Sequence, residues 1–112
     1  MANVKTQRLA GTIQKALTQI ISREVKDPSV GLMTITAVDL TGDQSIATIY
    51  VTFMGNEKDE VAGMEALNRA KAFIRRELAR NVKMRAVPAL VFKIDTSFKY
   101  GTHIDQILQS LK

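Results

Sequence analysis

The chain has 112 residues, with sixteen lysines and arginines against eleven acids, one histidine and no cysteine, for a net charge of +5. That length suits a single domain over residues 1–112, and 46% hydrophobic with 24% charged residues excludes a disordered chain. Lack of cysteine excludes disulfides, thiolate catalysis and sulfur-ligated zinc, while short apolar runs and the polar start MANVKTQRLAG exclude a membrane span and a secretory leader, so a cytoplasmic protein is expected.

Leu9, Ile13, Leu17, Ile20, Ile21 and Val25 recur every three or four residues, which predicts a helix from about Val4 to Lys26 with one buried stripe. Gly11 inside it costs about 1 kcal/mol relative to alanine. Asp27-Pro28 stops this helix, because proline disfavours helical geometry in the residue before it, and Gly31 completes a turn. A strand is predicted from Leu32 to Leu40. The next run alternates, with Ala47, Ile49, Val51 and Phe53 on one side and Ile46, Thr48, Tyr50 and Thr52 on the other. Thr41-Gly42-Asp43 between the two strands predicts a hairpin.

From Asp59 onward Val61, Met64, Leu67, Ala70, Ile74 and Leu78 return to helical spacing. Acids Glu57, Asp59, Glu60 and Glu65 crowd the front of this segment and the back half is basic, matching a helix dipole that favours anions at its start and cations at its end. Pro88 then opens a strand with Leu90, Phe92 and Ile94 facing a core and Val91, Lys93 and Asp95 facing out. Thr102 and Asp105 form a capping-box pattern ahead of a short helix carrying Ile104, Ile107, Leu108 and Leu111. The expected architecture is α+β, in the order helix, strand, strand, long helix, strand, short helix, with a three-stranded sheet.

The stretch from Arg69 to Arg85 holds seven of the sixteen basic residues and one acid, Glu77. On a continuous helix Arg69, Arg76, Arg80 and Lys83 share a narrow arc opposite Leu67, Ile74 and Leu78. Such an arc suits a phosphate backbone, and it equally suits a solvated face matched to the helix dipole; periodicity alone leaves both open. Lys71 and Arg75 flank the arc, Arg85 lies beyond the helix end, and Lys5 and Arg8, with Lys15, could extend the positive surface from the first helix. Arg23 and Lys26 are assigned to the helix end instead.

Of the six aromatics, Phe53, Phe73 and Phe92 fall in apolar patterns as core residues, and Tyr50, Phe98 and Tyr100 are left as possible base-stacking groups. His103 has no second histidine or cysteine nearby, which argues against a metal site, and Ser97, His103 and Asp105 lack the strand-turn-helix elbow of a nucleophile set. Asp95 is expected to order the turn at Thr96-Ser97. No glycine-rich phosphate loop occurs, and no cofactor is expected.

Taken together the chain resembles the ribosome-binding factor A family. The likeness rests on Glu24-Val25-Lys26-Asp27-Pro28 with Gly31, on Thr34-Ile35-Thr36 with Val38, and on Ala47-Thr48-Ile49-Tyr50-Val51 with Phe53. It continues through Ala66-Leu67, Ala70, Phe73-Ile74-Arg75, Glu77-Leu78, Arg85, Pro88, Leu90, Phe92, Asp95 with Ser97, and Gly101 with Ile104. The resemblance implies a type II KH-like domain without the Gly-x-x-Gly loop of ordinary KH domains, and with an Ala-x-Gly interruption that kinks the long helix. Here those residues are Ala70-Lys71-Ala72, without the glycine, and Ser29 stands where many relatives carry an arginine.

The resemblance further implies a monomeric, noncatalytic, cytoplasmic factor that binds small-subunit rRNA on free 30S subunits, supports late maturation and 16S 5′-end processing, and matters most in the cold. Joined to the seven cations, it favours RNA contact by Arg69, Lys71, Arg75, Arg76, Arg80, Lys83 and Arg85, with Lys5 and Arg8 as extensions. The alternative is a protein-interaction adaptor of the same fold, using its hairpin edge or last helix, with no direct RNA contact.

Overall fold

A computed structural model describes residues 4–25, 28–30 and 33–97. Its elements are α1 (Val4–Glu24), a 3-10 turn (Pro28–Val30), β1 (Met33–Leu40), β2 (Ile46–Phe53), α2 (Glu57–Asn81) and β3 (Ala89–Ile94). This is the expected α+β order through the third strand. The expected final helix with Thr102, Ile104, Ile107, Leu108 and Leu111, together with Phe98, Tyr100, His103, Lys26, Asp27 and Gly31, lies outside the described residues.

The sheet order is β1-β2-β3, with β1 and β2 antiparallel from Met33↔Phe53 to Leu40↔Ala47 and β3 parallel to β2 from Ile46↔Ala89 to Val51↔Ile94. A parallel neighbour cannot be reached by a tight turn, so α2 serves as the crossover. The inward-facing residues Ala47, Ile49, Val51 and Phe53 of β2 join Leu90 and Phe92 of β3 in one core. Ile13, Leu17, Ile20 and Ile21 of α1 and Leu67, Ile74 and Leu78 of α2 complete it, so both helices cover the same sheet face. Ile46 and Val91 sit on the opposite face and stay exposed.

Local rules account for most of these elements, and four details depart from the expectations. In α1, Val25 still donates its N–H to Ile21 O at 3.3 Å, but the helix ends at Glu24. In the hairpin, the turn runs one residue pair beyond the expected Thr41-Gly42-Asp43, and Gln44 takes the left-handed conformation, at φ 62. Its N–H bonds Thr41 O at 2.8 Å while Asp43 accepts from the Thr41 and Ser45 hydroxyls at 2.8 and 2.7 Å, and these bonds hold the strained turn. In β1 the register shifts between Ile35 and Ala37, so Thr36 is an extra residue and the inward phase moves from Ile35 to Val38 and Leu40.

The fourth departure is in α2, where Val61 was expected in the buried stripe and is 57% exposed. Gly63 and Ala66 are buried there instead, because the helix approaches the sheet so closely at Phe53 that only small residues fit. α2 begins at a capping box: Asp59 N–H donates to the Asn56 side chain at 3.1 Å, and Asn56 N–H donates to Asp59 Oδ2 at 2.9 Å. Through Ala70-Lys71-Ala72, where the family pattern has its glycine, the element remains α-helix without a break up to Asn81.

Candidate nucleic-acid interface

The basic residues are positioned by a helix whose opposite side is anchored in the core. At 100° per residue, Arg69, Arg76 and Arg80 fall within about 40° of one another, nearly opposite Leu67, Ile74 and Leu78. Those three apolar residues are fully buried and all three arginines are exposed, so packing turns the arginine row to solvent. Arg76 and Arg80 stand one turn apart, about 6 Å along the axis. Successive phosphates of one strand are separated by a similar distance, so a strand running along the helix can meet both.

Within the row, Arg76 and Arg80 are open to a partner. Arg80 is 77% exposed and its Nη1 lies 3.4 Å from Glu77 Oε1, one helical turn away. An exposed intrahelical pair of this kind contributes about 0.5 kcal/mol or less and is easily exchanged for a phosphate. Among the described residues Arg76 makes no ion pair. The excess positive charge toward the helix end also sits where the dipole favours cations.

Lys83 was expected on the same helical arc, and the structure corrects this. The helix stops at Asn81, and Val82 takes an extended conformation (φ −127°, ψ 125°) that buries its side chain while its N–H donates to Leu78 O at 2.9 Å. Burial of Val82 outweighs another helical turn, and Lys83 leaves the rod. Lys83 and Arg85 are exposed on the connection to β3. Lys71 is half-buried on the flank of α2. Arg75 bends toward that same connection, with Nε donating to Pro88 O at 3.1 Å and Nη2 to Val87 O at 2.7 Å.

Lys5 and Arg8 are exposed on the first turns of α1, away from the arginine row. A cleft of about 220 Å³ lined by Ala16, Gln19, Ile20, Arg23, Glu24, Glu77 and Asn81 shows that it is the far half of α1 that meets the end of α2. At 1.5 Å per residue, Lys5 and Arg8 are roughly 12–29 Å along α1 from the residues of that junction. The α1 cation that lines this cleft with Glu77 and Asn81 of α2 is Arg23, which periodicity assigned only to capping its own helix. No sequence signal marks it, because the pairing of the two helix ends is tertiary.

The remaining polar groups have structural partners. Asp95 Oδ1 accepts Ser97 N–H at 2.9 Å and Oδ2 accepts the Thr36 hydroxyl at 2.5 Å, tying the β1 bulge across the sheet to the end of β3. The Ser97 hydroxyl, then Thr36 and the Ser97 N–H, hold the Asp95 carboxyl below its ordinary value. Among the described residues no group of three histidine, cysteine or acidic side chains is placed to hold a metal. Phe53 and Phe92 are buried, as expected of core residues, and Phe73 and Tyr50 are half-buried.

Residues 5–108 match the family model for ribosome-binding factor A. The chain belongs to that family. A ribosome-binding factor A from Carboxydothermus hydrogenoformans is 46% identical over 112 residues, covering 100% of this chain and 90% of that protein. The crystal structure of ribosome-binding factor A from Thermus thermophilus superposes with a TM-score of 0.71 at 32% identity, over 80% of this chain and 94% of that one. A homology model of the Thermus thermophilus factor, fitted into a cryo-EM map of its complex with the 30S subunit, gives 0.68 at 32% identity over 81% and 96%. The order helix, strand, strand, helix, strand with a mixed three-stranded sheet is the α+β order expected of the family.

Proposed function

We propose that this protein is a noncatalytic, monomeric rRNA-binding factor of the bacterial cytoplasm that attaches to free small ribosomal subunits. There it supports late maturation, including processing of the 16S 5′ end, with its largest effect in the cold. Family membership and the 30S complex of the Thermus thermophilus relative support the partner. The observation that carries the mechanism is the exposed row Arg69, Arg76 and Arg80 on a helix fixed by Leu67, Ile74 and Leu78. A helix already packed on its sheet loses little backbone freedom on meeting a strand, and its charges read the phosphate backbone without reading sequence.

Neutralising four to six phosphates predicts a log–log salt slope of about −3 to −5, so raising salt from about 50 to 200 mM weakens binding about 10²–10³-fold. The deciding experiment is cosedimentation of the purified protein with salt-washed small subunits, comparing wild type with Arg76→Glu/Arg80→Glu. The double variant should lose association while its Tm falls by no more than about 8 °C, since exposed substitutions cost about 0.5 kcal/mol each. Undiminished cosedimentation would remove α2 as the binding surface. An adaptor without RNA contact would instead keep its partner in a nuclease-treated pulldown.

A further inference from the structure

The connection from Val82 to Pro88 is built like a support. Its two ends are buried at Val82 and Pro88, Met84 and Val87 pack half-buried against the core, and Lys83, Arg85 and Ala86 face solvent. The chain enters β3 with Ala89 N–H donating to Ser45 O at 2.9 Å. Just ahead of that point stand the two consecutive carbonyls of Val87 and Pro88, and the Arg75 guanidinium takes both, at 2.7 and 3.1 Å. A planar fork with donors in fixed directions holds two carbonyls at adjacent peptide positions in one geometry. Arginine provides one and lysine, with a single compact ammonium, does not.

We infer that Arg75 is a positioning residue: it locks the Val82–Pro88 connection so that Lys83 and Arg85 form a second, preformed phosphate contact beside the Arg76 and Arg80 row. The inference rests on the RNA-binding role proposed for α2 and adds a distinct element to it. The ligand of the connection is the sugar-phosphate backbone of RNA, since its outward side chains are two cations and an alanine, with no aromatic ring or amide to read a base. Holding the connection in place before binding lowers the ordering cost of capturing a phosphate. Arg75 is spent on backbone carbonyls, so its contribution passes through Lys83 and Arg85.

The test is a double-mutant cycle on the full chain, with salt-washed small subunits as the probe and affinity measured over a range of salt. Lys83→Gln/Arg85→Gln should weaken binding about ten-fold and make the salt slope shallower by about 1.4 to 1.8, two phosphate contacts' worth. Arg75→Gln should weaken wild type several-fold, yet cost less than about two-fold when Lys83 and Arg85 are already glutamine. Arg75→Lys, which keeps the charge and loses the fork, should weaken binding several-fold relative to wild type, and it carries the test if the glutamine variant is too unstable to use.

Equal losses from Arg75→Gln in both backgrounds would make Arg75 an independent contact and overturn the inference. So would full rescue by Arg75→Lys, or wild-type affinity in Lys83→Gln/Arg85→Gln. Failure of the parent proposal reads differently, because it would show as intact binding in Arg76→Glu/Arg80→Glu, which leaves Arg75 and the connection untouched.

Discussion

Gly63→Ala should destabilise this protein although alanine is the better helix former. In an open helix interior the exchange gains about 1 kcal/mol. At Gly63 the new Cβ would overlap Phe53 Cε1 and come within 2.5 and 2.7 Å of Cζ and Cδ1, where ordinary contact begins near 3.4 Å. Phe53 is 9% exposed at the end of β2, so either its ring swings out or α2 lifts from the sheet. Overpacking of this kind costs about 1–3 kcal/mol, and the severity of the overlap places this site in the upper part of that range. The net loss is therefore about 1–2 kcal/mol, or a Tm lower by about 5–15 °C in circular-dichroism melts. Gly11 is the control: nothing lies within 4 Å of a Cβ there, so Gly11→Ala should raise Tm by about 4–8 °C. A Gly63→Ala protein as stable as Gly11→Ala would refute the close approach of α2 to Phe53. It would also remove the reason for the exposure of Val61.

Two other perturbations test the local devices. Gly55 has φ 122°, and a Cβ there would collide with the Asp59 carboxylate of the capping box. Gly55→Ala should therefore cost about 1–3 kcal/mol in urea unfolding, and a neutral effect would contradict the cap geometry. Asp43 is held below its ordinary 3.8 by the Ser45 hydroxyl first, then by the Thr41 hydroxyl and the Ser45 N–H. A carboxyl with a depressed folded-state pKa contributes stability above its unfolded value, and that stability is lost as pH falls through the folded value. Wild type should thus lose more stability than Asp43→Asn as pH drops below about 4, and parallel curves would discount the turn network.

The chain's own pattern settles what depends on neighbours in sequence. The two-residue alternation from Ile46 to Phe53 sets which side of β2 is buried, since a strand places successive side chains on opposite faces. The three- and four-residue spacing of Ile13, Leu17, Ile20 and Ile21 likewise sets the inner face of α1. The exposed arginine row was legible for the same reason, because the side of a helix opposite its apolar stripe faces outward. Even the β1 bulge leaves a trace, in the change of apolar phase from Met33 and Ile35 to Val38 and Leu40 around Thr36.

Contacts between distant segments decided the rest. Gly63 is required by the ring of Phe53, ten positions earlier, and Lys83 leaves the helix because Val82 gains more by burial than by another helical turn. Arg75 reads in sequence like the arginine beside it, yet it faces the carbonyls of Val87 and Pro88, while Arg76, 100° further around the helix, faces solvent. Arg23, and not Lys5 or Arg8, shares a cleft with Glu77 and Asn81 because the far half of α1 packs against the end of α2. Periodicity reports which side of an element is buried; what lies against that side, and which equal charges become struts and which remain free to bind, is set only when the elements pack.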